Sequence, residues 1–272
     1  MIHGLTNQFL YAVTQLQCTC QKGIDIKHYS GTGFFIAKDN VPYLITNRHV
    51  AEPGYRDPSL EGYKLVEVVF HNRNYNEQTH KVDLEECHMV IWNLQVPDNP
   101  YDDVACFYKM AGIGPFSISC FIPISLLATK EMIENKICVC DSIAYIGFPE
   151  VYDHKNNLAI LRTGAISSDP RLDYSYSEDE DLGHVIAYEA FSKEGSSGSP
   201  VFALQKGFSV DGDFLKPREG FYREVCLVGI NAGSLTQTIE LKENVKYNEH
   251  QQLSYMYKSD IILGLIEKAS TK

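Results

Sequence analysis

Short apolar segments separated by turns make up most of the chain, and few stretches repeat apolar residues with the period of a helix. Residues 9–20 alternate between two faces, with Leu10 and Leu16 on one of them, which is the pattern of a half-buried strand. Residues 31–46 carry two apolar segments around a turn and predict a β-hairpin. Further strands are predicted at 66–71, 89–94, 104–108, 137–147, 158–166, 185–190, 200–203 and 225–231. So many short strands predict an all-β architecture in two halves.

Two other segments depart from this pattern. Residues 167–183 are polar, contain the acidic run 178–181, and predict an inserted loop that solvent surrounds. The chain closes on a predicted helix, because apolar residues recur at four-residue spacing over 261–266. Ser259 or Asp260 is expected to cap this helix.

Charge and hydropathy exclude two classes of partner. The formal net charge is −11 and no cluster of Lys or Arg offers a basic face. Binding to nucleic acid is therefore not expected, because it depends on basic side chains that displace counterions from phosphates. No apolar run approaches the roughly 20 residues that span a bilayer. Residues 1–16 also lack the basic start of a secretory signal, so no membrane partner is expected.

The chain contains eight cysteines, Cys18, Cys20, Cys87, Cys106, Cys120, Cys138, Cys140 and Cys226. A chain of 272 residues can build a core without disulfides. The pairs 18/20 and 138/140 would each face one side of a strand and together could form a thiolate zinc site, although zinc sites usually have CxxC spacing. We expect reduced, buried thiols and hence a cytoplasmic location.

The string Gly-Ser-Ser-Gly-Ser-Pro at 195–200 carries the clearest indication of chemistry. A serine hydroxyl is a weak nucleophile unless a base removes its proton and donors hold the developing oxyanion. Glycines on both sides of Ser197 let the backbone turn sharply, so that two amide N–H groups can converge beside the hydroxyl. Taken alone, the string is equally compatible with an ordinary turn rich in Gly and Ser.

Two further segments offer a base and a group to orient it. An apolar strand at 44–46 leads to His49 and the chain then breaks at 51–54, which holds an imidazole at the edge of a core. Asp102 and Asp103 enter another apolar strand, where a carboxylate is costly to bury unless it meets a donor such as an imidazole N–H. On chemistry alone either aspartate could serve. The alternative is a loop histidine without a role and two aspartates in a solvated turn.

In the order His, Asp, Ser, these segments resemble the chymotrypsin-like serine peptidases, in particular the bacterial or intracellular branch that includes the high-temperature-requirement proteases. The similar segments are the second strand at 30–36, the histidine motif at 45–50, the aspartate motif at 103–105, two strands of the second barrel at 143–149 and 162–167, the nucleophile loop at 195–200 and the substrate-pairing strand at 227–231. The aspartate motif selects Asp103 over Asp102.

The resemblance implies a chymotrypsin-like fold, all-β, with two six-stranded antiparallel Greek-key barrels and a C-terminal helix. Residues 1–272 would form one trypsin-like peptidase domain. The first barrel would occupy about 1–111 and the connection about 112–135. The second barrel and the C-terminal helix would occupy about 136–272.

The resemblance also implies a catalytic triad in the cleft between the barrels. Ser197 would attack the scissile carbonyl, His49 would act as base and then as acid, and Asp103 would orient His49. The backbone amides of Gly195 and Ser197 would form the oxyanion hole. The substrate would be a protein or peptide, a protein activator remains open, and no metal or other cofactor is needed. The alternative is a peptide- or protein-binding module on a peptidase fold, inactive until a partner orders it.

The chain departs from the secreted members of this family in two places. Ser196 stands where they have the aspartate that pairs with a newly freed N-terminus, and the sequence starts at Met1, so this activation switch is expected to be absent. No cysteine follows His49, so the disulfide usual beside the histidine is expected to be absent too.

The resemblance places the pocket for the residue before the scissile bond beneath the nucleophile loop. Its base is Phe191 and its wall is Asn231, Ala232 and Gly233. Cleavage after Lys or Arg needs a buried carboxylate at the base, which Phe191 does not supply. Glu194 is expected on the rim, where water screens it. We therefore expect cleavage after small or medium uncharged residues such as Ala, Val, Thr or Leu.

Overall fold

The computed structural model describes residues 5–76, 78–79, 81–178, 181–190, 195–211, 214–242 and 245–272. Its strands are β1 Val13–Lys22, β2 Asp25–Lys38, β3 Val41–Thr46, β4 Lys64–Asn76, β5 Lys81–Gln95, β6 Ala105–Ile113, β7 Ile122–Pro123, β8 Ser142–Gly147, β9 Ile160–Ile166, β10 Val185–Glu189, β11 Pro200–Ala203, β12 Phe208–Asp211, β13 Phe214–Pro217, β14 Cys226–Lys242 and β15 Val245–Lys258. Its helices are α1 Gln8–Tyr11, α2 Arg48–Ala51, α3 Lys130–Lys136 and α4 Ser259–Ser270.

Six strands of the first half close into a ring. The order is β1-β4-β5-β6-β3-β2, and β2 returns to pair with β1, so that every neighbouring pair in the ring is antiparallel. The short β7 adds to β2 in parallel, outside the ring. Closure removes the unpaired edges that an open sheet would leave.

The second half is also a closed antiparallel barrel, in the order β10-β15-β14-β11-β8-β9. A small two-stranded sheet, β12 with β13, projects from it. The all-β fold with two six-stranded barrels and a C-terminal helix is therefore confirmed.

Three apolar clusters fill the molecule. Each barrel has its own core, and the third cluster combines residues of both barrels with α4. Phe34 and Phe35 are neighbours on β2 but belong to different clusters, because successive strand side chains point to opposite faces. Phe35 fills the first barrel, whereas Phe34 faces the shared cluster, to which Phe148 and Phe202 of the second half belong. The shared cluster joins the two barrels to each other and to α4.

Several local predictions are wrong, and tertiary packing accounts for them. Residues 9–11 form helix instead of strand, and Phe9 packs its ring against Phe202 at 5.2 Å. Neither Ser259 nor Asp260 caps α4, whose N-cap is Lys258. The Ser259 hydroxyl instead donates to the carbonyl oxygen of Ala128 at 2.6 Å.

All eight cysteines lie in described parts of the chain, and each is a free thiol. Cys138 and Cys140 are exposed and lie around a turn before β8, so the strand predicted from residue 137 starts only at Ser142. The described residues include no group of three or more His, Cys, Asp or Glu side chains that could hold a metal ion. None of the described helices is long and apolar enough to cross a membrane.

Candidate active site

His49 and Asp103 meet at one end of the first barrel because of how β3 and β6 pair. The strands are antiparallel, with Thr46 opposite Ala105. His49 lies shortly after Thr46, on the single turn of α2, and Asp103 lies shortly before Ala105. The buried Asn47 fixes the junction, because its Nδ2 donates to the backbone oxygen of Asp103 at 2.7 Å. Strand register thus brings together two residues that are far apart in sequence.

The carboxylate of Asp103 is fully buried and contacts His49 at two points. Its Oδ2 lies 2.6 Å from His49 Nδ1, and its Oδ1 accepts from the backbone N–H of His49 at 2.8 Å. Burial raises the pKa of the Asp103 carboxyl, but the His49 ring, its hydrogen bonds and the Arg56 guanidinium bring that pKa below its ordinary value. Asp103 is therefore an ionised carboxylate at neutral pH.

The neighbouring Asp102 points to a different histidine. Its side chain is buried and accepts from the backbone N–H of His184 at 2.9 Å, and its Oδ2 lies 2.9 Å from His184 Nδ1. His184 precedes β10, so this pair joins the segment before β6 to the second barrel. The two adjacent aspartates therefore lie against two different histidines, and only Asp103 contacts His49.

The loop 195–199 turns sharply at two glycines. Gly195 has φ +85° and Gly198 has φ +90°, which lie in the region that side chains other than glycine rarely adopt. A Cβ on Gly195 would overlap the backbone oxygen of Phe148, and one on Gly198 would overlap the backbone oxygen of Thr32. Both positions therefore require glycine for conformation and for space.

Thr32 of β2 ties the first barrel to this loop. Its Oγ1 donates to the Gly195 carbonyl oxygen at 2.6 Å, and its backbone N–H donates to the Ser197 carbonyl oxygen at 2.8 Å. The same hydroxyl accepts from the backbone N–H of Phe148 at 3.0 Å. Thr46 completes the contact, since its hydroxyl donates to the Thr32 carbonyl oxygen at 2.7 Å. The loop is thus fixed relative to the end of β3 that leads to His49.

Asn231 of β14 holds the loop from the second barrel. Its Nδ2 donates to the Ser196 carbonyl oxygen at 2.8 Å, and its Oδ1 accepts from the Tyr188 hydroxyl at 2.6 Å. Its backbone carbonyl accepts from the N–H of Gly198 at 3.0 Å. Asn231 is fully buried, and its side chain is engaged by the loop and by Tyr188. Next to it on β14, Ala232 is buried and Gly233 is partly exposed.

Three serines share the loop but differ in accessibility. The hydroxyls of Ser196 and Ser199 are buried and have no hydrogen-bond partner among the described residues, whereas Ser197 is partly exposed. Within that same part of the chain, no hydrogen bond joins the Ser197 hydroxyl to the His49 ring. The predicted pocket base Phe191, and Glu194 on its rim, lie outside the described residues.

A cleft of about 410 Å³ is lined by Arg56. Arg56 also lies 3.4 Å from Asp103, so the cleft is next to the pair of His49 and Asp103. Its other lining residues are Tyr55, Pro100, Tyr101, Tyr176, Asp181, Leu182 and Tyr255. An adjoining cleft of about 330 Å³ shares Tyr176 and Tyr255 and continues to Ser234 and Leu235. The polar loop predicted at 167–183 therefore forms part of the wall of a groove to which four tyrosines contribute.

Several of these residues were not found from the sequence. Thr32 and Thr46 were seen only as strand residues, and Tyr188 only as part of an apolar segment. Asn47 and Arg56 stand close to His49 in sequence, which was the one signal available for them. Their contacts depend on partners from distant strands, which no local pattern indicates.

The sequence model of the family described as trypsin-like peptidase domain matches residues 31–210. No curated protein sequence matches the chain.

Two solved structures share the fold at low sequence identity. The protease Anisep from Arthrobacter nicotinovorans aligns with a TM-score of 0.56 and 12% identity, over 98% of this chain and 99% of its own. A thermostable serine protease, AL20, from an extremophilic microorganism aligns with a TM-score of 0.55 and 12% identity, over 97% of this chain and 99% of its own. The structural similarity supports the fold. The identity of 12% is too low to assign the chain to a branch of the family.

Proposed function

The chain belongs to the trypsin-like peptidase family, and we propose that it is a serine endopeptidase acting through His49, Asp103 and Ser197. The family match at residues 31–210 spans all three. The observation that carries the proposal is the buried Asp103 carboxylate bonded to both the ring and the backbone of His49. A carboxylate can only accept, so Nδ1 of His49 carries the proton and Nε2 is left as the base.

In the proposed reaction, Ser197 attacks the scissile carbonyl carbon while Nε2 of His49 takes the hydroxyl proton. His49 then gives that proton to the leaving amine, which leaves an acyl-enzyme on Ser197. A water molecule, deprotonated by His49, hydrolyses the ester and regenerates the hydroxyl. Asp103 stabilises the imidazolium that forms in each half of the reaction.

The amides of Gly195 and Ser197 are the proposed oxyanion hole. Within the described part of the chain, neither N–H donates a hydrogen bond to another protein group. Thr32 and Asn231 hold the carbonyl oxygens of the loop on other contacts. Donors fixed in advance are worth about 3–4 kcal/mol each in a hole of this kind.

The proposed substrate is a polypeptide. The groove formed by the two clefts that share Tyr176 and Tyr255 would accept residues before the scissile bond. We further propose, from the motif strings, that the chain is related to the bacterial or intracellular branch that includes the high-temperature-requirement proteases. Eight free thiols support a reducing, cytoplasmic setting. Cofactors play no part in this proposal.

Hydrolysis of a peptide library by the purified chain tests the proposal. Ser197→Ala and His49→Ala should each lower turnover by about 10⁴ to 10⁶, because the groups act as a unit. The double variant should then be scarcely worse than either single one. Additive losses in the double variant would show that the roles are wrongly assigned.

One observation favours a second candidate, a peptide-binding module that a partner must activate. Within the described residues, Ser197 and His49 are not hydrogen-bonded to each other, although this bond is often long before substrate binds. Turnover by the isolated chain would exclude this alternative. Peptide binding without turnover would favour it.

A further inference from the structure

We propose that Arg56 is a positioning residue for the catalytic pair, which holds Asp103 and couples it to the second barrel. The inference rests on the proposed function, since it assigns Arg56 a role in the same site. Arg56 lies in the turn after α2, outside every motif that carries the family resemblance.

The three nitrogens of the Arg56 guanidinium are divided between the two barrels. Nε lies 3.4 Å from Asp103 Oδ2, the same oxygen that faces the His49 ring. One terminal nitrogen donates to the Tyr255 hydroxyl at 3.1 Å and the other to the Tyr257 hydroxyl at 2.6 Å. Both tyrosines belong to β15 of the second barrel and both are buried. A planar group with fixed donors suits this task better than an ammonium group.

The contact continues back to the segment that carries Asp103. The Tyr257 hydroxyl, which accepts from Arg56, donates its own proton to the Tyr101 carbonyl oxygen at 3.0 Å. The backbone just before Asp103 is thus hydrogen-bonded to the second barrel. Arg56 adds a second connection, from the same Tyr257 hydroxyl to the Asp103 carboxylate. A shift between the barrels would therefore displace Asp103.

The charge of Arg56 also acts on the pair electrostatically. Asp103 is fully buried, whereas the Arg56 side chain is 36% exposed, so solvent screens part of the interaction. Burial lowers the pKa of Arg56, but Asp103 and the two tyrosines raise it above its ordinary value overall. A fixed cation at this place favours the ionised form of Asp103, the carboxylate that contacts the His49 ring.

Among the residues that the structure describes, the other charged and titratable groups near the pair make different contacts. Tyr55, Tyr255 and Tyr257 are phenols, and burial raises the pKa of Tyr55 and of Tyr257. On α2, Arg48 is paired with Glu52 at 2.5 Å. Asp102 faces His184.

The test compares the pH dependence of kcat/KM in Arg56→Gln, Arg56→Lys and Tyr257→Phe with that of the native chain. Arg56→Gln should move the acid limb upward by about half to one pH unit, because the cation is lost but was partly screened. Its plateau should fall about 10-fold through poorer orientation of Asp103. Arg56→Lys keeps the charge and should leave the acid limb close to native, with a lowered plateau.

Two further variants separate charge from tethering. Tyr257→Phe should lower the plateau without moving the acid limb, because it removes a tether and no charge. Arg218→Gln is the charge-matched control, since Arg218 is exposed and stacks on the ring of Phe221, outside the groove. It should leave both the limb and the plateau unchanged. A lower melting temperature in Arg56→Gln with an unchanged pH profile would reduce Arg56 to a structural role and overturn the inference.

A second readout keeps this inference separate from the proposed function. The proton on His49 Nδ1 is expected as a far-downfield proton NMR signal, which does not require turnover, and Arg56→Gln should shift its position and its titration. An inactive native chain whose signal shifts in Arg56→Gln would defeat the proposed function and keep the positioning role. An active chain whose signal and profile ignore Arg56→Gln would do the reverse.

Discussion

Asp103 accepts hydrogen bonds from both the backbone and the ring of His49, one through each carboxylate oxygen. The ring therefore cannot turn without breaking a contact to a fully buried group, and α2 cannot shift without breaking the other. Burying a carboxylate costs several kcal/mol unless donors compensate it. Here His49 and Arg56 supply the compensation, and in return the imidazole has one orientation and one tautomer.

The first prediction concerns the choice between two adjacent aspartates. Asp103→Asn should lower kcat/KM by about 10⁴, because an amide can donate where His49 needs an acceptor and so favours the wrong tautomer. Asp102→Asn should stay within about 10-fold of the native rate, since its side chain faces His184. Steady-state kinetics on one peptide substrate decides between them. Loss of activity in Asp102→Asn alone would transfer the catalytic role to that residue.

The second prediction concerns stability in acid. The pKa of Asp103 is lowered in the folded chain, so its ionised form stabilises the fold above the unfolded-state value of about 3.9 and this stabilisation is lost as pH falls through the folded-state pKa. Urea unfolding should show a constant gap between native chain and Asp103→Asn from about pH 5 to 7. The gap should shrink below about pH 4.

A matched control shows whether this acid effect belongs to the carboxylate. Ser197→Ala changes the same site without removing an ionisable acid, so its gap to the native chain should not vary with pH over this range. A gap for Asp103→Asn that stays constant or widens on acidification would contradict the low pKa of Asp103.

The third prediction concerns the turn of the nucleophile loop. Gly198→Ala should abolish activity and lower the free energy of unfolding by about 3 kcal/mol or more, because it combines a positive φ with overlap against the Thr32 carbonyl oxygen. Gly23→Ala is the control, since Gly23 has φ +62° and open space around its Cβ position. It should cost about 1–2 kcal/mol and leave kcat unchanged. An equal loss of unfolding free energy in the two variants would show that the overlap with the Thr32 carbonyl oxygen does not destabilise Gly198→Ala.

The fold was predictable from the sequence to the extent that packing follows local pattern. Alternation located most strands, and the residues around His49 and Ser197 were placed by motif strings of known order. The long hairpin of β14 and β15 was mostly missed, because residues 236–252 are rich in polar side chains and show little apolar alternation. α3 was not predicted, because it is short and lies within the expected connection. Its start is marked by Thr129, whose side chain accepts from the Met132 N–H.

Sequence motifs predict the three members of the proposed triad, but they do not predict the residues that contact and support those members. Asp103 was preferred to Asp102 by a motif, and the physical distinction between them is strand register, which only the folded chain displays. The hydrogen bond from the Asn231 amide to the Ser196 carbonyl oxygen was not predicted from the sequence, and the place of Asn231 in a pocket wall stays a prediction. Arg56 carries no motif, and its partners on β15 come from almost 200 residues further along the chain.

The fourth prediction concerns the residue before the scissile bond. The family resemblance predicts Phe191 at the pocket base. Cleavage after Ala, Val, Thr or Leu is then expected, because a desolvated Lys or Arg would lack a buried carboxylate. Sequencing the products of a peptide-library digest measures this preference. Phe191→Asp supplies the matched test, since it should increase cleavage after Lys and Arg. Native cleavage mainly after Lys or Arg would contradict the assignment of Phe191.

The most direct test of the proposed triad is covalent labelling of the purified chain by a fluorophosphonate, an electrophile that reacts preferentially with a serine that a neighbouring base activates. The native chain should gain one label, located on Ser197 by mass spectrometry, and Ser197→Ala and His49→Ala should gain none. Ser199→Ala should label like the native chain, because the Ser199 hydroxyl is buried in the same loop and has no partner among the described residues. A folded native chain that stays unlabelled, or a label on any other serine, would contradict the proposed triad.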